Sequence, residues 1–477
     1  MNLLDGFYRR VAEHPDRAAV IDPNGKRWTY AQLARRAEVL AAHFADQGLR
    51  RGDRVLMALG LNAELYAAFA ALWRLGAVAV LPEPALGLAG IERALELAKP
   101  RAVLLAGPYR LLPLFVAPLR RAELKLRLRA SRDPAPAVAD LSPNDPALIS
   151  FTTGSTGAPK AIVRSHGFML AQDAAVAPLI GTAGRHETDL VGFPVFVIAN
   201  LGQGITSVLP DWPVRRMDKA SGPRMARLIE RRGVTRLLLN PALVERLAEF
   251  GIPEQVHSVF TGGGPVFPDL IARITASRPS LRMVAVYGST EAEPIAEADV
   301  SSLTPADFAA MAAGEGLLAG TPVAAARVRI VDDEIQVAGA HVVQGYLDPA
   351  RDAETKQRDA DGTLWHRTGD AGRFDVRGRL WLLGRMGGRI CNLWPFPVEV
   401  AARSWPGVRR AALVEADGQA ALVIEGDPVH AGCWKEQAAA LSITRVHVAR
   451  KLPMDRRHGS KIDLAAARAL IGSTPRL

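Results

Sequence analysis

Cysteine is nearly absent: Cys391 and Cys433 are the two in 477 residues, too few and too isolated for a disulfide framework or a thiolate metal site, and a reducing compartment is implied. Long apolar runs are missing too. Arg, Pro or Gly interrupts every stretch before it reaches the roughly 18 apolar residues of a spanning helix, so no membrane span is expected. The opening residues carry Asp5 where an export signal needs a basic region and then an apolar core, and a cytoplasmic location is the expectation. Basic residues outnumber acidic ones by 59 to 49, a formal net charge of +10, yet they form no stripe interleaved with aromatics and no zinc-finger spacing. Nucleic acid is excluded as an expected partner. No internal repeat or low-complexity tract is evident.

What is abundant is apolar material. Hydrophobic residues make up 49% of the chain and charged ones 23%, enough to bury large cores over a length that exceeds what one core carries. Leu33, Ala37, Leu40 and Phe44 fall on one face of a helix. Arg54–Leu59 reads as a strand, Leu65, Phe69 and Leu72 as a helical stripe stopped by Gly76, and Val78–Leu81 as a second strand, which together make a βαβ unit. Further apolar strands near Ala102–Leu105, Leu237–Asn240 and Met283–Tyr287 alternate with helical stretches, so the class is α/β with parallel sheets covered by helices. The proline-broken segment Ser131–Asn144 suits an exposed connection and marks a possible domain boundary. A second break falls at Gly384–Arg389, where adjacent glycines let the backbone pivot.

Four stretches carry chemistry. In Ile149-Ser-Phe-Thr-Thr-Gly-Ser-Thr-Gly-Ala-Pro-Lys160 a strand runs into a loop that looks built for phosphate. Gly154 and Gly157 free backbone amides to face an anion, Thr152, Thr153, Ser155 and Thr156 add hydroxyls, and Lys160 adds charge. The spacing is not that of a P-loop, which disfavours an ordinary P-loop kinase or ATPase; the plainer alternative is a polar turn between strand and helix. In Val286-Tyr-Gly-Ser-Thr-Glu291 an aromatic ring, a hydroxyl and a carboxylate leave a strand end together. There Tyr287 can stack on a base, Thr290 can donate to phosphate and Glu291 can hold Mg²⁺, or the segment is only a turn. In His366-Arg-Thr-Gly-Asp370, Asp370 can accept from two vicinal ribose hydroxyls, or cap a turn. Lys461 closes Leu452-Pro-Met-Asp-Arg-Arg-His-Gly-Ser-Lys461, where an ammonium can neutralise charge developing between carboxylate and phosphate, or simply be solvated.

Taken in order, the four stretches resemble the adenylate-forming superfamily, from Thr29 to about Leu470: acyl-CoA synthetases, firefly-type luciferases and peptide-synthetase adenylation domains. The resemblance implies a large N-terminal domain of sheets flanked by helices, residues 1–384, and a small mobile α+β lid, residues 385–477. It implies ATP and Mg²⁺ as cofactors. The Phe151–Lys160 loop would cradle the triphosphate; Gly262-Gly263-Gly264-Pro265, Tyr287 and Gly288 would frame the adenine. Asp370 would hold the ribose and Arg385 would stand near the hinge. Lys461, Thr290, Glu291 and Lys160 would be the catalytic set, with Glu291 on the metal. The step implied is attack of a carboxylate on the α-phosphorus of ATP, with pyrophosphate leaving and a lid keeping the mixed anhydride dry.

Departures from the common pattern narrow the subfamily. Gly387 stands at a hinge position where many members carry Asp or Lys. The loop Gly388–Glu399 is compressed and lacks the pattern that shapes a pantetheine tunnel, Val197 stands where many acyl-CoA ligases have His, and Ala161 replaces a Gly. CoA use is therefore doubtful. Phe193–Asp211 and Asp455–Lys461 are similar to the β-lactone synthetases of bacterial olefin biosynthesis, which activate a 3-hydroxy acid and let its own hydroxyl close the ring. His166, His458 or a phosphate oxygen could serve as base for that closure, His166 having the plainer role of a polar residue that opens a helix. The competing expectations are an acyl-CoA ligase, a stand-alone adenylation enzyme loading a carrier protein, and a nucleotide-binding protein without catalysis.

Overall fold

The helical stripes become helices where their spacing puts them. Tyr30–Asp46 is capped by Thr29, whose hydroxyl accepts from Gln32 N while the Gln32 side chain accepts from Thr29 N, and it buries Leu33, Ala37, Leu40 and Phe44. Ala63–Arg74 begins at the Asn62 cap and buries Leu65, Phe69 and Leu72; Gly76 follows in the left-handed region, with φ of 69°. The strands Arg54–Ala58 and Val78–Leu81 flank that helix and pair in parallel, completing the βαβ unit. The computed structural model describes residues 1–82, 87–153, 159–182, 184–213, 219–454 and 461–473.

Three sheets organise the described residues. A six-stranded sheet has the order Leu124–Leu126, Ala102–Leu105, Arg54–Ala58, Val78–Leu81, Pro146–Thr153 and Pro159–Ser165. Its strand Pro146–Thr153 pairs in parallel with Val78–Leu81. The proline-rich segment before it is thus a connection within one sheet and not the domain boundary that its composition suggests. A 14-stranded sheet lies beside it. From Ala18–Ile21 through Thr206–Val208, Thr188–Val191, Arg236–Leu239 and Ser258–Gly262 to Arg282–Ser289, neighbours run parallel. From Arg282–Ser289 onward through Ala292–Asp299, Leu317–Pro322, Leu380–Arg385 and Leu364–Phe374, every neighbour is antiparallel. The expected parallel sheets therefore make up only part of an α/β fold.

The third sheet is small: Val408–Ala416, Gln419–Gly426 and Arg445–Ala449; the helices Pro395–Arg403 and Ala431–Ala440 pack with it around a fully buried Trp434, and the helix Leu464–Ser473 packs on a second cluster of the same sheet with Ala412, Val414 and Val423. Arg403 makes two hydrogen bonds of 2.9 and 2.7 Å to Asp269, and Arg410 bonds Glu245 at 3.0 Å. These ion pairs fasten the unit to the helices Pro241–Phe250 and Pro268–Ser277. Between the second and third sheets, Ile390 and Leu393 exchange backbone hydrogen bonds of 2.9 and 2.8 Å across Cys391 and Asn392, both left-handed. That tight turn is what compresses the Gly388–Glu399 loop.

Glu399, on the helix Pro395–Arg403, is buried, and its carboxylate accepts from Leu413 N at 3.0 Å. Burial pushes its carboxyl up from 4.5 to about 7. Folding therefore takes up a proton between those two values, and its stability contribution falls as pH rises through that window. Glu399→Gln imitates the protonated acid and removes the cost of ionisation. At ~1.4 kcal/mol per pKa unit, the variant should gain on the order of 3 kcal/mol over wild type at pH 8 and almost nothing at pH 4. Urea unfolding at both pH values checks this; an equal effect at both contradicts it.

Candidate functional site

Arg282–Ser289 lies where the large sheet changes from parallel to antiparallel. Although the strand is central, every residue from Ala285 to Ser289 is partly exposed, which places a cleft at the carboxyl ends of the parallel strands. Its neighbour ends at Gly262, where an added Cβ would stand 2.4 Å from the Val286 carbonyl oxygen. Only glycine allows that approach. Gly263 turns away in the left-handed region with φ of 72°, beside the Phe193 ring, and Gly264 and Pro265 continue along the rim, partly exposed.

Tyr287 reaches from this strand to Asp370 on Leu364–Phe374, its hydroxyl donating to Oδ2 at 2.8 Å. Arg385, the last residue of Leu380–Arg385, donates to Oδ1 at 2.8 Å. Asp370 N donates to Thr368 Oγ1 at 3.0 Å, and Thr368 donates to the Ile335 carbonyl, so the stretch of strand that presents the carboxylate is itself tied down. Burial and the neighbouring Asp370 charge raise the Tyr287 phenol well above its ordinary range, and Asp370 raises the Arg385 guanidinium. The phenol stays a donor. A carboxylate has about four acceptor positions, so two remain for a ligand hydroxyl pair.

Thr290 and Glu291 form the turn between Arg282–Ser289 and Ala292–Asp299. Behind them lies a set of charged side chains that the sequence motifs did not disclose. Arg164 is 6% exposed and donates to the Thr290 carbonyl at 3.3 Å. Glu291 Oε1 accepts from the Tyr346 hydroxyl at 2.9 Å, and Glu291 O accepts from Val343 N at 2.8 Å. Lys356 donates to the Val343 carbonyl, and burial lowers its ammonium to about 8. Glu293 lies across the open face of Gly288, its Cγ 3.1 Å from where a Cβ on that glycine would be. Burial lifts its carboxyl to about 7 against the pull of Arg164. A charged residue at Arg164 within the otherwise apolar run Ala161-Ile-Val-Arg164 is the one signal by which the sequence could have pointed here.

Ser289 Oγ and Arg164 Nε are buried without a protein partner among the described residues, which leaves two polar atoms for a ligand or water to satisfy. Among the described residues no group of three or more His, Cys, Asp or Glu converges on one point. A divalent cation here would rest on Glu291 and on oxygens of a neighbouring phosphate.

Thr152 and Thr153 end the strand Pro146–Thr153, and Lys160 sits opposite Thr152 in an antiparallel pair; the element that follows is thus a second strand, Pro159–Ser165, and not a helix. Gly154, Ser155, Thr156 and Gly157 lie outside the described residues, as does His458. Lys461 is exposed. Its neighbour Ile462 bridges to Met454 and shares a cleft with Pro265 and Phe267, so the segment carrying the lysine faces the glycine-rich rim. His166 is the first residue of its helix and fully buried, with Nδ1 accepting from Leu3 N at 3.1 Å. Burial holds it down to about 4. That is the helix-opening role and removes it as a base. Val197 is fully buried.

The AMP-binding enzyme family matches residues 7–347. The olefin β-lactone synthetase of Xanthomonas campestris pv. campestris is 32% identical, over 97% of this chain and 96% of its own; that of Stenotrophomonas maltophilia is 34% identical, over 81% and 78%. The phenyloxazoline synthase MbtB of Mycobacterium tuberculosis is 28% identical over 99% of this chain and 35% of its own. Among solved structures, the O-succinylbenzoate coenzyme A synthetase MenE of Bacillus subtilis, in complex with ATP and magnesium, superposes with a TM-score of 0.78, at 21% identity, over 97% of this chain and 98% of that one. This last likeness is one of fold. Among the described residues no helix is long and apolar enough to cross a membrane.

Proposed function

The chain belongs to the AMP-binding enzyme family, and from that premise we propose that it activates a 3-hydroxy acid with ATP and closes it to a β-lactone. It is an adenylate-forming enzyme: a carboxylate attacks the α-phosphorus of ATP, pyrophosphate leaves, and an acyl-adenylate results. The observation that carries the sharper reading is the likeness to an olefin β-lactone synthetase over 97% of this chain and 96% of the relative. The tight turn at Cys391 and Asn392 and the buried Val197 support it, since both stand where a thiol acceptor would need room.

In this reading Asp370 accepts the ribose hydroxyls, its own carboxylate held in place by Tyr287 and Arg385. The amides of Gly263 and Gly264 border the adenine with Pro265 and Gly288. Thr290 donates to phosphate, and the loop from Thr152 to Lys160 receives the triphosphate. Glu291 holds Mg²⁺, which when bound offsets the phosphate charge that would repel an incoming carboxylate. Residues 385–477 act as a lid pivoting about Met386–Gly388 and carrying Lys461 to the reacting carboxylate. A side chain at Gly387 would meet nothing within 4 Å, so packing does not pin that turn. The 3-hydroxyl then attacks the adenylate carbonyl, a unimolecular step for which proximity supplies much of the rate. Loading of a carrier-protein thiol is the second reading, favoured by the likeness to MbtB.

Asp370→Ala should weaken nucleotide binding by at least about 100-fold, the loss of two charge-assisted hydrogen bonds at ~1.5 kcal/mol or more each. An unchanged dissociation constant by calorimetry contradicts the role.

The reaction itself is read by mass spectrometry. A 3-hydroxy acid with ATP and Mg²⁺ should yield AMP, pyrophosphate and a product lighter than the acid by one water, whether or not CoA is present. The 3-deoxy analogue should stop at the adenylate. A thioester that appears only with CoA, or acyl transfer to a pantetheinylated carrier, overturns the lactone step and leaves adenylation standing.

A further inference from the structure

Far along the chain from the site motifs, residues 107–121 present an unusual surface. The segment reads Gly-Pro-Tyr-Arg-Leu-Leu-Pro-Leu-Phe-Val-Ala-Pro-Leu-Arg-Arg and contains no Asp, Glu, Ser, Thr, Asn or Gln. It folds as three consecutive short helical turns, Gly107–Leu111, Leu112–Phe115 and Ala117–Arg120. Val116 and Leu119 are buried and Leu112 packs on the same cluster, which fixes the segment to the six-stranded sheet. That anchoring turns three large side chains outward: Leu111 is 58% exposed, Leu114 68% and Phe115 63%. Burying an apolar side chain stabilises a fold and exposing three together does not, so a patch of this kind marks an interaction surface.

Arg110, Arg120 and Arg121 flank the patch in the chain, all exposed. Arg120 donates to the Pro113 carbonyl at 3.0 Å, which seats its guanidinium against the turn that carries Leu114. None of the three is ion-paired among the described residues. Glu123, the nearest acid in sequence, is already held by Arg101 at 2.7 and 3.0 Å.

We infer that residues 107–121 are a membrane-surface attachment site, with Leu111, Leu114 and Phe115 entering the acyl boundary of an anionic phospholipid bilayer and Arg110, Arg120 and Arg121 engaging its phosphates. An apolar wedge with a cationic rim is what interfacial binding requires. A protein partner fits less well, because protein interfaces carry a hydrogen bond for every 100 to 200 Å² or so, and this segment offers few neutral donors or acceptors. A second copy of the chain fits less well again, since a two-fold contact would bring the arginines of both copies together. The site lies on the bilayer and does not cross it.

Co-sedimentation with phosphatidylcholine vesicles, with and without phosphatidylglycerol, tests the inference on the full chain. The protein should partition onto the phosphatidylglycerol vesicles and be released by salt. Arg120→Gln with Arg121→Gln should weaken that binding by about 25-fold, roughly fivefold per charge removed. Leu114→Ser with Phe115→Ser should abolish it, with the thermal midpoint and pyrophosphate release unchanged. Wild-type protein that ignores anionic vesicles, or binding that survives both double variants, overturns the inference. So does a dimer, seen by sedimentation velocity, that dissociates on Leu114→Ser with Phe115→Ser.

Discussion

The candidate site depends on one shared carboxylate. Asp370 receives the Tyr287 hydroxyl on one oxygen and the Arg385 guanidinium on the other, and so joins the strand at the centre of the large sheet to the strand that leads out of it. Arg385 is 70% exposed; an ion pair so open to water adds little to stability. Its value is geometric. The pair fixes where the carboxylate points, keeps acceptor positions available, and places a cation at the last residue before Met386–Gly388.

Behind Glu291 the fold accepts a cost that a purely structural hairpin would avoid. Arg164, Glu293, Lys356 and Tyr346 are crowded beneath one turn, and burial moves the carboxyl of Glu293 up and the ammonium of Lys356 down. Groups that disfavour their own charged forms accumulate where a site needs them. Here Arg164 holds the Thr290 carbonyl and Tyr346 the Glu291 carboxylate from the rear, leaving the front of the turn to the cleft.

Much of this was legible in the sequence because it is local. Helix faces such as Leu33, Ala37, Leu40 and Phe44 follow from spacing alone, and the motif around Tyr287 sits at a strand end, whereas Asp370 lies within the strand Leu364–Phe374. What was not legible depends on pairing between distant segments. Prolines near Ser131–Asn144 suggest a boundary, but Pro146–Thr153 pairs with a strand more than sixty residues earlier. The pairing of Leu317–Pro322 with Leu380–Arg385 in the antiparallel half of the large sheet is of the same kind. Arg164 and Glu293 read as ordinary charged residues until their burial is known, and burial belongs to the whole fold.

In the proposed reaction one carboxylate oxygen passes to AMP, and the substrate's own hydroxyl then displaces the AMP. Oxygen-18 labelling of the acid follows both events in a single turnover. With label in the carboxylate, AMP should gain one heavy oxygen and the product should keep the other; with label in the 3-hydroxyl, the product should keep it and AMP should gain none. Unlabelled AMP from a carboxyl-labelled acid would mean that no adenylate forms. Heavy AMP beside a thioester or the regenerated acid, in place of a labelled product lighter than the acid by one water, would mean that something other than the 3-hydroxyl takes the acyl group.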